Sequence, residues 1–146
     1  MVRQKLDYVR IKRAISAAER QTSATICVSI APPFWGSVLA LAQKAFVRLK
    51  LHQTPERNSV LVFVVPRRRQ FVVWGDVGIH TKLAQRDWDS LVFAMAERFE
   101  DGDQTGAIEF GVGQIVTLLA VSFPASFQPA FEPIGAHQSV HGAAGK

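Results

Sequence analysis

The spacing of apolar positions along this chain switches repeatedly between a helical and a strand-like rhythm. Leu6, Val9, Ile11, Ala14, Ile15 and Ala18 recur every three to four residues, which predicts an amphipathic helix over Arg3–Arg20. The run Thr25–Ile30 is almost continuously apolar and reads as a strand, closed by Pro32 and Pro33, neither of which can donate to a ladder. Helical spacing returns over Trp35–Leu51, where Val38, Leu39, Leu41, Ala42, Ala45, Phe46 and Leu49 form a stripe. Two β-branched runs follow, Val60–Val65 and Phe71–Trp74. Helices are then predicted over Ala84–Phe99 and Thr105–Phe123, with Asp101, Gly102 and Asp103 between them. Gly102 suits a helix C-terminus and Asp103 the next N-cap.

The four residues Pro66–Arg69 are too few for a crossover, so the two β-branched runs must pair antiparallel. With Arg67 and Arg68 as a two-residue turn, the ladder brings Asn58 and Ser59 opposite Val77 and Asp76. The long connection from the first strand to the second contains a helix, which makes that pair parallel and its crossover right-handed. The expected fold is therefore an α/β three-layer sandwich: a small mixed sheet with one parallel crossover and one β-hairpin, covered by about four helices. If the first two strands are neighbours, Glu19, Thr22 and Ser23 lie at the same sheet edge as Asn58 and Asp76. The arginine turn lies at the other edge.

At 146 residues, 48% hydrophobic and 20% charged, the chain suits one globular domain with its own core, assigned to residues 1–123. Residues 124–146 are rich in Pro, Gly, Ala and His and read as a flexible tail. The single cysteine, Cys27, lies inside a strand, so an internal disulfide is excluded and a buried, inert thiol is expected. The charged N-terminal segment lacks the apolar stretch of a signal peptide, and no apolar run reaches the roughly 20 residues of a membrane span. A cytoplasmic, non-membrane-spanning protein is the expectation. The formal net charge of +5 favours an acidic or otherwise anionic partner, whereas no nucleic-acid reader motif or basic-aromatic interleaving accompanies it.

An ordered series of segments resembles the TPM domain family, also called the TPM phosphatase domain. It comprises Glu19 and Thr22 ahead of ICVSI, then RNSVLVFV, FVVWGDVGI, Trp88 on the next helix and FEDGDQTGAIEFGVGQI, covering about residues 7–121. The resemblance implies a three-layer α/β sandwich. It also implies two activities described in members: calcium binding through acidic and amide oxygens, and weak acid phosphatase activity in a plant thylakoid member. This chain departs from exported or tethered members by lacking a signal peptide and a spanning helix.

Asp76 is the leading candidate ligand for calcium or another divalent cation, with Asn58, Ser59, Thr22 and Glu19 as further oxygen donors at one edge. The competing reading makes Asp76 and Asn58 local caps of turn and strand entry. Arg67, Arg68 and Arg69 offer a possible anion contact, or simply a solvated turn. Glu100, Asp101 and Asp103 lack the ligand ladder of a calcium loop and read as helix caps at the opposite edge from Asp76. Gly111 and Gly113 suggest close helix packing, and Tyr8 and Trp35 read as packing residues. Phosphatase chemistry needs a nucleophile or an activated water, and neither a CxxxxxR loop nor a dense His and Asp cluster is present. The leading reading is a binding or assembly module with a weak cation site, the alternative a metal-assisted phosphatase acting on phosphate monoesters at the same edge. No organic cofactor is indicated.

Overall fold

A computed structural model describes residues 5–125 and 140–141 of the chain. Among them run α1 (Tyr8–Glu19), β1 (Thr25–Ile30), α2 (Val38–Arg48), β2 (Ser59–Val65), β3 (Gln70–Gly75), α3 (Val77–His80), α4 (Gln85–Glu100), α5 (Gln104–Leu119) and β4 (Val140–His141). The strands form one sheet in the order β3-β2-β1-β4. β1 and β2 are parallel neighbours and β2 and β3 are antiparallel, so the expected crossover and hairpin are both present. The long helices are the four expected, and α3 adds one short turn after β3.

Burial follows from strand periodicity. Ile26, Val28, Ile30, Val60, Val62 and Val64 point to one face, where they join Ile11 and Ile15 of α1, Leu91, Met95 and Phe99 of α4, and Ile108, Val112 and Ile115 of α5. Cys27, Leu61, Phe63 and Val65 point to the other and meet Ala42, Ala45 and Phe46 of α2, with Leu51 just beyond it. Both sheet faces are thus covered, which explains why β1 and β2 read as unbroken apolar runs rather than as alternating ones. Burial pushes the Cys27 thiol up from its ordinary 9.0 to about 12, as expected of an inert core cysteine.

The hairpin has the register obtained by counting. Val60 faces Gly75 and Val65 faces Gln70, and one step further the Asp76 N–H donates to the Ser59 carbonyl at 3.0 Å. The turn itself differs. Pro66–Arg68 form one turn of 3-10 helix and Arg69 takes a left-handed φ of 52°, instead of Arg67 and Arg68 alone closing the strands. A two-residue hairpin turn of the common type needs positive φ at both central residues; with a 3-10 turn only Arg69 takes one.

The start of α2 is a second departure. Gly36 adopts φ 106° and the Ser37 hydroxyl accepts the Ala40 N–H at 3.0 Å, so the helix begins at Val38 and leaves Trp35 in the preceding loop. Trp35 is 100% exposed and Tyr8 is 42% exposed, which corrects the expected packing role, most sharply for Trp35. Among the glycines, Gly111 of α5 approaches Met95 of α4 so closely that a Cβ would collide, whereas Gly113 faces open space and has no packing role. Val140 and His141 pair in parallel with Val28 and Ser29. They lie within the segment expected to be flexible, of which residues 126–139 and 142–146 fall outside the described residues. Among the described residues, no helix is long and apolar enough to cross a membrane.

Candidate functional site

The Asp76 edge is built by the linker entering β2 and the turn leaving β3. The Arg57 N–H donates to the Thr54 carbonyl at 3.1 Å, and the Asn58 N–H to the Thr54 hydroxyl at 3.1 Å, which fixes the linker. Arg57 then takes a left-handed φ of 51°, and its carbonyl accepts the Gly78 N–H at 2.8 Å. The guanidinium reaches Asp76, with Nε to Oδ2 at 2.6 Å and Nη2 to Oδ1 at 2.7 Å. Oδ1 also accepts the Val77 N–H at 2.8 Å, making Asp76 the N-cap of α3. The carboxylate is only 5% exposed, and its charge is matched by a forked, charge-assisted pair. Hydrogen bonding to this carboxylate raises the pKa of Arg57, with the opposite charge acting in the same direction, so the guanidinium stays charged.

The other predicted donors sit at the entries to β1 and β2. Asn58 is 4% exposed, and its carbonyl accepts the Thr25 N–H at 3.3 Å, tying β2 to β1. Ser59 is fully buried, and its hydroxyl has no hydrogen-bond partner among the described residues. The Thr22 hydroxyl donates to the Phe123 carbonyl and accepts the Ala24 N–H at 3.1 Å, so it secures the entry to β1. Glu19 is the last residue of α1. β2 separates β1 from β3, so the backbones at Thr25 and Asp76 are two strand spacings apart, roughly 10 Å. Glu19 ends α1 and Thr22 leads into β1, so both approach this edge from the β1 side, with β2 between β1 and the strand that carries Asp76.

The donor chemistry does not match a preformed hard-cation shell. Calcium takes six to eight oxygens, commonly including several carboxylates, whereas here one carboxylate already holds a guanidinium. Among the described residues, no three His, Cys, Asp or Glu side chains are grouped to hold a metal. His80, four residues after Asp76, lies edge-on to Trp88 at 5.3 Å between ring centroids. Arg57 was missing from the sequence reading. Its signal was available only in the register: a basic residue one position before Asn58, at the edge where Asp76 arrives.

The opposite edge gathers the arginine turn and the loop between β1 and α2. The Arg68 Nη1 donates to the carbonyls of Phe34 at 3.2 Å and Gly36 at 2.9 Å, and its guanidinium lies over the Phe34 ring at 5.1 Å. Arg68 thereby pins the loop that presents Trp35. Pro33, Phe34, Trp35, Gly36, Arg67 and Arg68 line a cleft of about 500 Å³. A second, more open cleft of about 340 Å³ begins at Arg68 and continues past Arg69 to Phe71. Arg67 and Arg69 are exposed and have no side-chain hydrogen bond or ion pair among the described residues.

The acidic group lies at this same edge, as expected. Gln104 Nε2 donates to the Pro66 carbonyl at 3.2 Å, which sets the α4–α5 junction beside the arginine turn. Within that junction Gly102 has φ 90°, and Asp103 accepts the Gly106 N–H at 2.9 Å, so both residues are accounted for as helix punctuation.

The BA42 protein from the psychrophilic bacterium Bizionia argentinensis has a solved structure similar to this chain, with 28% identity and a TM-score of 0.77, covering 86% of this chain and 89% of that one. The N-terminal domain of the cg2496 protein from Corynebacterium glutamicum shares the fold at 17% identity and a TM-score of 0.61, covering 89% of this chain and 80% of that one. No curated protein matches the chain. The TPM domain model matches residues 5–118, nearly the whole helix-and-sheet body described above, and the chain belongs to the TPM domain family.

Proposed function

We propose that this TPM-domain protein is a binding module that holds an anionic partner at the arginine-turn edge of its sheet. The observation that carries the reading is the pairing of a wholly exposed Trp35 with exposed Arg67 and Arg69, on a loop anchored by Arg68. Large exposed aromatics beside arginine are the residue types that dominate binding energy at interfaces. The geometry offers catalysis much less: Cys27 is buried, Asp76 is held by Arg57, and among the described residues no side chain is poised as a nucleophile with a base beside it. Amide NMR during titration with polyglutamate, anionic vesicles and inorganic phosphate tests the reading. Shifts at Gly36 and Arg67–Arg69 with at least one of these are expected, and silence with all three rejects it.

A weak divalent-cation site at Asp76 is the second reading. It is supported by Ser59, next to Asn58, lying opposite Asp76 at the end of the ladder, and by the half-exposed Arg57, whose side chain is 46% accessible and would have to swing outward for a cation to reach the carboxylate. A metal-assisted phosphatase would use this same edge. Its test is turnover of a phosphate monoester that disappears in Asp76→Ala; turnover that survives the substitution arises elsewhere.

A further inference from the structure

We infer that the partner held at the arginine-turn edge is an extended acidic segment of another protein, carrying apolar side chains between its carboxylates; the inference rests on the binding-module reading. Three features select this occupant. The surface is concave on both sides of Arg68, which lines one cleft with Pro33–Gly36 and a second with Val38 and Arg69–Phe71. Its walls combine apolar and cationic groups, with Phe34 and Trp35 at one end, Arg67 and Arg69 flanking the middle and Val38 of α2 beyond them, while the Phe71 ring at the far end is stacked on Phe99. Its charge is complementary to carboxylates, and Arg68, spent on the Phe34 and Gly36 carbonyls, holds the floor while Arg67 and Arg69 remain to form forked bonds.

The flank of the site narrows the choice further. The α4–α5 junction, with Glu100, Asp101 and Asp103, stands beside the turn through the Gln104 contact to Pro66. A flat anionic membrane pressed on this edge would meet those carboxylates together with the arginines. A single strand of peptide can lie along the α2 side and avoid them. A second copy of this chain is disfavoured in the same geometry, because like arginine turns would face one another on a chain of net charge +5.

The probe is a fluorescently labelled short peptide in which glutamate alternates with leucine and proline, followed by anisotropy so that the readout is independent of the protein's tryptophans. Trp35→Ala and the double variant Arg67→Glu with Arg69→Glu alter only exposed side chains, and their unchanged thermal unfolding is checked first. Each is expected to weaken the peptide by about tenfold or more, the size of loss typical of central interface Trp and Arg. A lysine version of the peptide is expected not to bind. Equal affinity of wild type and either variant would overturn the inference. So would binding of phosphatidylserine vesicles, or of inorganic phosphate alone, without binding of the peptide, an outcome that leaves the anionic-partner reading standing. If none of these ligands binds, both readings fall together.

Discussion

Arg57 and Asp76, nineteen positions apart, close on each other through two parallel N–H to carboxylate bonds of 2.6 and 2.7 Å. The pair fastens the linker before β2 to the turn after β3. A guanidinium therefore occupies the position from which a cation would neutralise this buried carboxylate. A calcium ion binding at this carboxylate would have to compete with Arg57 for the same oxygens. Amide NMR on the wild-type protein should show no movement at Asn58 and Asp76 until calcium reaches the millimolar range typical of weak sites. In Arg57→Ala the same signals should respond at lower calcium. Equal response of the two proteins would show that the guanidinium does not guard the carboxylate.

Asp76 also has a structural duty that can be measured apart from any ligand. Its Oδ1 caps α3, and removal of an N-cap side chain costs about 0.5–2 kcal/mol. Urea denaturation should find Asp76→Ala less stable than wild type by at least that range. Asp76→Asn should lose less, because asparagine caps as well as aspartate while forfeiting the charge.

Gly78 and Gly111 separate a rigid from a yielding collision. A Cβ on Gly78 would run into the backbone carbonyls of Glu56 and Arg57, which cannot rotate aside, whereas one on Gly111 would meet the flexible end of Met95. Overpacking costs typically 1–3 kcal/mol, so Gly78→Ala should fall at or above the top of that range and Gly111→Ala near the bottom. Gly78→Ala should also displace the linker and loosen the Arg57–Asp76 fork, visible as shifted amide signals at both residues. Retention of wild-type stability in Gly78→Ala would contradict this packing.

The Cys27 thiol gives a pH dependence of known sign. Burial raises its pKa from 9.0 to about 12 in the folded protein, so the folded state keeps a proton that the unfolded chain releases. Its contribution to stability is complete below about pH 9 and is lost as the pH climbs from there towards 12. Measured between about pH 8 and about pH 10.5, the stability of wild type should fall more steeply than that of Cys27→Ala, which lacks this titration. Thiol reagents at neutral pH should modify the native protein only as fast as it unfolds.

Most of the fold was readable from periodicity, because each rhythm has a single local cause. The run Val60–Val65 is apolar at every position since both of its faces are covered, and the stripe of α2 recurs every three to four residues since only one side of it meets the sheet. Pro66 and the short loop after it forced an antiparallel hairpin, and its register brought Ser59 to Asp76. The helix caps at Asp76 and Asp103 were likewise local, needing only an acidic side chain within reach of the next turn's N–H groups. What tertiary structure alone decided was the direction and pairing of side chains whose local sequence permits several outcomes. Arg57 reads as one more solvated base until its left-handed backbone aims it at a carboxylate on another element. Trp35 fits a helical stripe until Gly36 and Ser37 delay the helix and Arg68, from the distant hairpin, clamps the loop around it. Val140 and His141 have no strand-like run of their own and pair because β1 offers them an edge. Sequence determined the elements, whose period is written in neighbouring residues. Only the fold determined which charges meet and which aromatic faces water, because those outcomes depend on partners far away along the chain.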